Sequence, residues 1–470
     1  MAESCQFLYS SWRAHTPPKC TTKYDEMIRK SDGSFRQMTP RALGDILWGC
    51  AHSGAGNGAL FQEVCEQAQV KLRRFSARDV TNFAWGLVRV KYRCVPLQNR
   101  MIKLCDARLG EFDAESLALA LWSFSQVEGL QGLDRLLRRS TRQLAMQSDH
   151  LTGSACANLW GVLASKSFNA PQLFKKLDER TSYWCSTLSI ESIASILLAL
   201  GTLRIENTCM HKLFEEFLQR MVAGKISEKV LPSTLPLFLH AAVTFSASID
   251  ALEGNSREAL VGGIEATTNK VPLAKALEMS MAALALHLLD SRIFQVFWAK
   301  CASAPSLTQG QLAKLRLVHE ILVRKAPECA APETIRKKIL DTQEISITSE
   351  STTAEDHART REVSKDICSL LKAEGLQPVV TVPGIDVALV DKDVAIKIIE
   401  EQSFLRTLGL ESDGPPSAHK DRRVIGIQAL HSEQLKANGW KVFHVDRSLY
   451  YNIATLAKRE AYLVKLIGLG

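Results

Sequence analysis

No Cys-x-x-Cys pair occurs in the 470 residues, although twelve cysteines are scattered from Cys5 to Cys368. Paired thiols at short spacing are what a structural zinc site needs, so this class of metal site is not expected. Cys65, Cys105 and Cys156 fall instead on apolar helical faces, the usage of a reducing compartment where thiols pack as small hydrophobes. Long apolar runs are missing as well. The best candidates, around 190–203 and 279–289, carry polar residues and fall short of the ~18 residues that span a bilayer, so no membrane span is expected. G-x-S-x-G, G-x-x-x-x-G-K-[ST], H-E-x-x-H and a dinucleotide glycine fingerprint are all absent, and no two histidines stand four apart beside an acid. Nothing therefore points to a small-molecule substrate or a cofactor.

Acidic residues are lacking from Ser4 to Tyr24, where Arg13, Lys19 and Lys23 stand among serines and threonines. An acid-poor, Ser-rich, basic start is the composition of an organelle-import segment. Residues 1–37 are accordingly expected to be an N-terminal arm with a possible targeting role. A mitochondrion is the expected location, with plastid or cytoplasm as alternatives. The net charge of +8 and the pI near 8.8 favour an anionic partner, nucleic acid first.

What the chain does contain is a repeat with one tryptophan per copy. Met38-Thr39-Pro40 leads to Trp48, Phe75-Ser76-Ala77 to Trp85, Phe112-Asp113-Ala114 to Trp122, Leu151-Thr152-Gly153 to Trp160 and Leu188-Ser189-Ile190 to Leu198. Each copy opens with a large apolar residue, then a Thr, Ser or Asp, then an apolar run of helical period: a hydrophobic staple, an N-cap and an amphipathic helix. The caps step by 37, 37, 39 and 37 residues, and the tryptophans by 37, 37 and 38. Second helices are expected at 59–74, 95–109, 133–146, 171–184 and 208–222. A helix of about twelve residues cannot bury its apolar stripe alone, so the pairs must stack on one another. The expected fold is mostly α, an α-solenoid of helix-turn-helix repeats regular over 38–225. Tryptophan is expected to fill the core between repeats, beside the small residues Gly49, Gly86, Ser123 and Gly161. Beyond 222 the rhythm loosens. Pro232 and Pro236 interrupt a first-helix candidate at 237–245, and pairs recur at 270–289 with 293–301 and at 308–324 with 332–342. Residues 226–345 are thus expected to hold degenerate repeats, about eight pairs in all.

Residues 346–360 are polar and nearly free of large apolar side chains, a linker composition. After it the period changes. A helix at 361–374, Val- and Ile-rich strands at 379–390 and 393–399, a helix at 423–437, a strand at 441–445 and a closing helix at 449–467 make 361–470 a small α/β domain. Its elements Gly384-Ile385-Asp386-Val387-Ala388-Leu389-Val390, Val394-Ala395-Ile396-Lys397-Ile398 and Asn438-Gly439-Trp440-Lys441-Val442 resemble the RAP domain, with Leu430, Leu435, Lys458 and Tyr462-Leu463 in keeping. That module closes many organellar RNA-binding proteins, including the FAST-kinase-like family. The helix pairs upstream are similar to octotricopeptide-like arrays. The resemblance implies a restriction-endonuclease-like core, in which an Asp and an acidic-x-Lys pair hold a divalent metal. Asp386 stands where the first carboxylate belongs. Lys397 stands where the family's I-E-V-D-G strand has Glu, and the usual His-aromatic pair is missing, with only Phe404 nearby. One Asp beside a Lys is a poor magnesium site. Asp386 and Lys397 are therefore expected to form a cross-strand ion pair at a vestigial nuclease-like position, with no catalytic residue and no metal. His444 is expected to be a satisfied domain residue.

Basic residues carry the nucleic-acid expectation. Arg73, Arg74, Arg135, Arg138, Arg139, Arg142, Lys175 and Lys176 lie on second helices, and Arg89, Lys91 and Arg93 follow a first helix. Lys420, Arg422, Arg423 and Lys441 lie in the C-terminal domain. Such side chains contact phosphates and supply affinity rather than sequence reading. Base-reading candidates are the polar first-helix positions Arg41, Arg78, Asn82, Glu115 and Asn158. The expected function is a non-catalytic organellar RNA-binding protein, favoured as a structural constituent or assembly factor of a mitochondrial ribosome. Its partners would be RNA (rRNA first) and neighbouring proteins of a ribonucleoprotein assembly. A transcript-specific factor for RNA processing or stability, a metal-dependent endonuclease, and a solenoid that grips protein without RNA are the alternatives.

Overall fold

The structure, a computed structural model, describes residues 34–54, 58–245, 254–340, 354–380, 385–399, 406–407, 432, 435–436, 439–453 and 455–467. The expected targeting arm, Phe404, Lys420, Arg422, Arg423 and most of the helix expected at 423–437 lie outside the described residues. Nineteen α-helices are found among the described residues, with a small three-stranded mixed sheet near the C-terminus. None of these helices is long and apolar enough to cross a membrane. The chain divides into two compact units, Met1–Ala199 and Leu200–Gly470.

In the first unit one plan recurs. Its helices are α1 (Pro40–Ser53), α2 (Gly58–Lys71), α3 (Ala77–Arg89), α4 (Val95–Ala107), α5 (Ala114–Ser125), α6 (Leu133–Met146), α7 (Gly153–Ser165) and α8 (Pro171–Trp184), and α9 (Ile190–Leu203) opens the next copy. Odd-numbered helices pack on odd, and even on even, giving two layers. All five expected caps are in place. The side chains of Thr39, Ser76, Asp113, Thr152 and Ser189 accept from the backbone N–H three residues on, at 3.2, 3.2, 2.7, 3.3 and 3.2 Å. Ser76 and Asp79 close a reciprocal capping box. The apolar residue before the cap is buried at Phe75, Phe112, Leu151 and Leu188, as are the partners four after the cap, Leu43, Val80, Leu117, Cys156 and Ile193.

A second device recurs that the sequence did not advertise. Short 3-10 turns (Ser34–Gln37, Leu72–Arg74, Leu109–Glu111 and Ser148–His150) precede the caps and leave carbonyls unpaired. A side chain from the next even helix, or the residue after it, donates to each. Lys71 Nζ reaches the carbonyls of Arg36 and Met38 at 2.6 and 2.7 Å, and Arg108 reaches Phe75 O at 2.9 Å. Gln143 donates to Phe112 O at 2.9 Å, and Arg180 and Trp184 both donate to Leu151 O at 3.0 Å. Four of the five first helices are followed by a left-handed residue fifteen after the cap, at Gly54, Lys91, Ser167 and Arg204, and after α5 it is Gly129, sixteen after Asp113.

The tryptophans do not form the single buried column expected of them. Trp48, Trp85 and Trp122, nine after their caps, are half-buried. Trp160 alone is fully buried, stacked on Phe174 at 5.6 Å with Nε1 donating to Thr181 Oγ1 at 3.0 Å. It stands eight after its cap, and one residue turns a helix by about 100°. The cap step of 39 against a tryptophan step of 38 was the signal for this. Gly161 occupies the ninth position in α7, where a Cβ would meet only Trp122 Cδ1 at 4.0 Å. Gly86 does serve as a close-approach site, since a Cβ there would stand 2.7 Å from Leu47 Cβ. The cysteines match expectation, with burial holding the Cys50 thiol up at about 11 and Cys105 at about 12.

In the second unit β1 (Ile205–Glu206) precedes α10 (Thr208–Val222), α11 (Leu231–Thr244), α12 (Asn255–Thr268), α13 (Leu273–Ala285), α14 (Ser291–Ser303), α15 (Gln309–Lys325) and α16 (Glu333–Leu340). Alternate helices again pack together, α10 on α12 on α14 on α16 and α11 on α13 on α15. Two expectations are corrected here. Pro236 lies inside α11 rather than breaking it. It forfeits the bond to the Pro232 carbonyl, and the burial of Leu235, Phe238, Leu239 and Ala242 offsets that loss. α12 escaped the sequence reading because Gly262-Gly263 interrupts its apolar pattern. Gly263 is a packing residue, since a Cβ there would stand 2.7 Å from Met221 Cε and 3.5 Å from Leu235 Cδ2.

The C-terminal part of this unit has α17 (Ala354–Ala373), β2 (Val387–Leu389), β3 (Val394–Ile399), β4 (Arg406–Thr407), β5 (Lys441–Asp446), α18 (Arg447–Asn452) and α19 (Leu456–Ile467). α17 starts inside the expected linker, because low apolarity marks an exposed helical turn as readily as a coil. The strand expected at 379–390 is not continuous: Val379 bridges Ala388 antiparallel, so the chain has reversed between them. The expected closing helix is two helices. β3 is central, antiparallel to β2 and parallel to β5, and β4 pairs in parallel with β1. One sheet face carries Val387, Leu389, Val394, Ile396 and Ile398 against α17 and α19, and the other packs Ala388 and Ala395 against Leu435 and Trp440.

Adding a methyl at Gly86 and at Gly161 should have opposite effects. Gly86→Ala overpacks α3 against α1 and should cost about 1–3 kcal/mol. Gly161→Ala fills open contact in a helix interior and should add about 0.5–1 kcal/mol, both read from urea unfolding midpoints.

Candidate nucleic-acid interface

Positions two, six and nine after each cap lie at i, i+4 and i+7, so they share one stripe of a first-layer helix. In α1 they are Arg41, Asp45 and Trp48; in α3, Arg78, Asn82 and Trp85; in α5, Glu115, Leu119 and Trp122; in α7, Ser154, Asn158 and Gly161. None of the twelve is buried, whereas the residues four after the cap are buried in all four helices. The stripe is the open face of the first layer, and all five base-reading candidates lie on it.

Along this face Trp48 and Trp85 lie with ring centroids 4.1 Å apart and planes at 31°. The Arg89 guanidinium stands 5.6 Å above the Trp85 ring, a cation–π contact. The side-chain amides of Asn82 and Asn158 make no hydrogen bond to the described residues, so both keep donors and acceptors open. Arg41 approaches Asp45 at 4.0 Å. Burial raises the Asp45 carboxyl above its usual range, with Asp79 adding to this, while Arg41 and Arg78 oppose it. Chemically the face offers half-covered rings, free amides and arginines, a set suited to planar polar ligands.

The other predicted cations are spread over different surfaces. Arg73 and Arg74 sit exposed in the turn after α2. Lys91 is the left-handed residue ending α3, and Arg93 donates to Glu128 O at 2.6 Å. Arg135, Arg138, Arg139 and Arg142 are on α6 and Lys175 and Lys176 on α8, all in the second layer. Arg135 and Arg139 pair with Asp106 at 3.1 and 2.5 Å, and Lys176 pairs with Glu179 at 3.1 Å. Lys441 is exposed at the start of β5.

In the C-terminal sheet, continuing the β2–β3 register by one residue sets Asp386 opposite Lys397. Nζ and Oδ2 are 4.0 Å apart, as a cross-strand pair requires, and Asp386 Oδ2 also accepts from Ile398 N at 2.8 Å. Lys397 is in turn register partner to His444 on β5. Ser432 Oγ and His444 Nε2 share a hydrogen bond of 2.7 Å. Burial, aided by Lys436 and Lys397, pulls the His444 imidazole down to about 4. The carboxylate is thus held by a lysine and a backbone N–H, and the neighbouring ring is neutral. A second cluster that the sequence reading missed ties three helices: Asp366 Oδ2 accepts from Tyr450 Oη at 2.9 Å and from Arg459 at 2.8 Å, with Arg459 over the Tyr450 ring. Asp366 lies more than eighty residues from both of its partners, so no local pattern reveals the cluster.

No protein-family model matches this chain, and no curated protein matches it.

The His444 geometry sets a pH dependence. Its folded value lies below the ordinary 6.5, so between pH 6.5 and about 4 the unfolded chain binds a proton that the folded domain refuses. Stability should therefore fall as pH drops through that window. Urea midpoints at pH 7 and pH 5 should differ for the native chain, and His444→Gln should shrink the difference.

Proposed function

We propose that this chain is a non-catalytic RNA-binding protein of an organelle, its helix pairs forming an α-solenoid of about eight repeats closed by a RAP-like α/β domain. The observation that carries this reading is the open first-layer stripe, which holds the rings of Trp48, Trp85 and Trp122, the free amides of Asn82 and Asn158, and Arg41 and Arg78 on one line of positions. Single-stranded RNA presents π-faces, base edges and phosphates, and each has a counterpart in that set. The net charge of +8 adds long-range attraction for a polyanion. A role as constituent or assembly factor of a mitochondrial ribosome, with rRNA as ligand, accords with the acid-poor N-terminus.

Cleavage is not part of the proposal. The position that a nuclease-like core would give to a second carboxylate holds Lys397, close to Asp386, and this cation opposes divalent metal binding. The full chain should bind labelled single-stranded RNA with a log affinity that falls linearly with log salt. Asn82→Ala and Arg78→Glu should each weaken binding, and Trp85→Ala should cost about 1–3 kcal/mol if a base stacks there. Absence of binding at low salt, or binding indifferent to all three changes, would refute the reading.

A further inference from the structure

Among the described residues of Met1–Ala199, three large apolar side chains stand exposed, and all three occupy one repeat position. Val70 is 80% exposed, Met146 79% and Tyr183 68%. Each lies six residues before the cap that opens the following first-layer helix, at Ser76, Thr152 and Ser189. The remaining second-layer helix has exposed Ala107 there, six before Asp113. Exposed apolar residues are ordinarily scattered singly; here they line up on adjacent helices α2, α4, α6 and α8, and so form a ridge.

The same stripe is cationic in its middle. Four and seven or eight residues before the ridge position, α4 carries Lys103 and Arg100, and α6 carries Arg142 and Arg138. All four are exposed, and none has an ion-pair or hydrogen-bond partner for its side chain among the described residues. Arg135 and Arg139 differ, being tied to Asp106. On α4 and α6 the surface therefore joins unpaired cations to an apolar line, flanked by Glu63 and Glu66 on α2 and Glu179 on α8, on the layer that does not carry the polar stripe.

We propose that this ridge docks an acidic, amphipathic protein helix, its apolar residues on Met146 and Tyr183 and its carboxylates on Lys103, Arg138 and Arg142. Nucleic acid would use the cations and, of the ridge, only the Tyr183 ring. The flexible or aliphatic side chains of Met146, Ala107 and Val70 offer a base no ring to stack on and no base-edge hydrogen bond. An acidic helix uses both features, placing an apolar line on the ridge and charge on the rim. Packed helices lie about 8–10 Å apart. Three rungs thus extend about 20 Å, the length of a helix of about 13 residues. The proposal does not depend on RNA occupying the first layer.

The test uses the full chain and a labelled designed peptide, helical, with leucine at every third or fourth position and glutamate elsewhere. A shuffled peptide of the same composition and an oligouridylate are the comparison probes. The amphipathic peptide should bind better than the shuffled one. Met146→Asp, Tyr183→Asp and Arg138→Glu/Arg142→Glu should each weaken it about tenfold, with Arg78→Glu without effect. Met146→Ser, a milder change, should move affinity the same way, and circular dichroism melting confirms folding. Equal affinity for both peptides, or no binding of either, overturns the proposal. So does loss of oligouridylate binding in Arg138→Glu/Arg142→Glu with Met146→Asp silent, which would make the surface a nucleic-acid site.

Discussion

Everything in the helical region depends on how the chain passes from one helix pair to the next. A short 3-10 turn, a buried apolar residue and a capping side chain fix the angle at which each first helix leaves. Carbonyls in or just after the turn are then taken by Lys71, Arg108, Gln143 or Arg180 from the next even helix or just past its end. The second helix of each copy thus satisfies carbonyls at the opening of its own first helix, and a buried carbonyl without a partner would be costly. The cost of breaking this junction holds the repeat step near 37 residues and keeps equivalent side chains in line.

That alignment creates surfaces. Once equivalent positions fall side by side, whatever lies at two, six and nine after the cap becomes a continuous strip of the first layer. What lies six before the cap becomes a strip of the second. The first holds rings, amides and arginines; the second holds exposed apolar side chains beside unpaired cations. A repeat fold needs neither strip for stability, since its core lies at other positions of the same helices. Their regularity is what invites a reading as binding surfaces.

The C-terminal sheet carries a different constraint. Asp386, Lys397 and His444 come together because β3 pairs antiparallel with β2 and parallel with β5. In that setting the carboxylate is neutralised by its neighbours, and the imidazole is kept uncharged by burial and two lysines. The partners of Asp386 and His444 are thus all supplied from within the domain.

The caps, the helix pairs of the first unit and the strands at 393–399 and 441–445 were legible in the residues, because each rests on local chemistry at fixed spacing. Thr39 to Ser189 announce helix starts wherever they stand, and the I-D-V and W-K-V stretches read as strands on composition. The rest was decided by packing. Trp160 turns inward while Trp48, Trp85 and Trp122 stay half-covered, because one residue of slip rotates a side chain by about 100° and only neighbouring helices define inside. α12 holds despite Gly262-Gly263 because Met221 and Leu235 press close to Gly263. Which cations are free and which are tied, Arg138 against Arg139, depends on Asp106 one helix away. Local signals determine where helices begin; the face each turns to its neighbours comes from burial, which no single stretch contains.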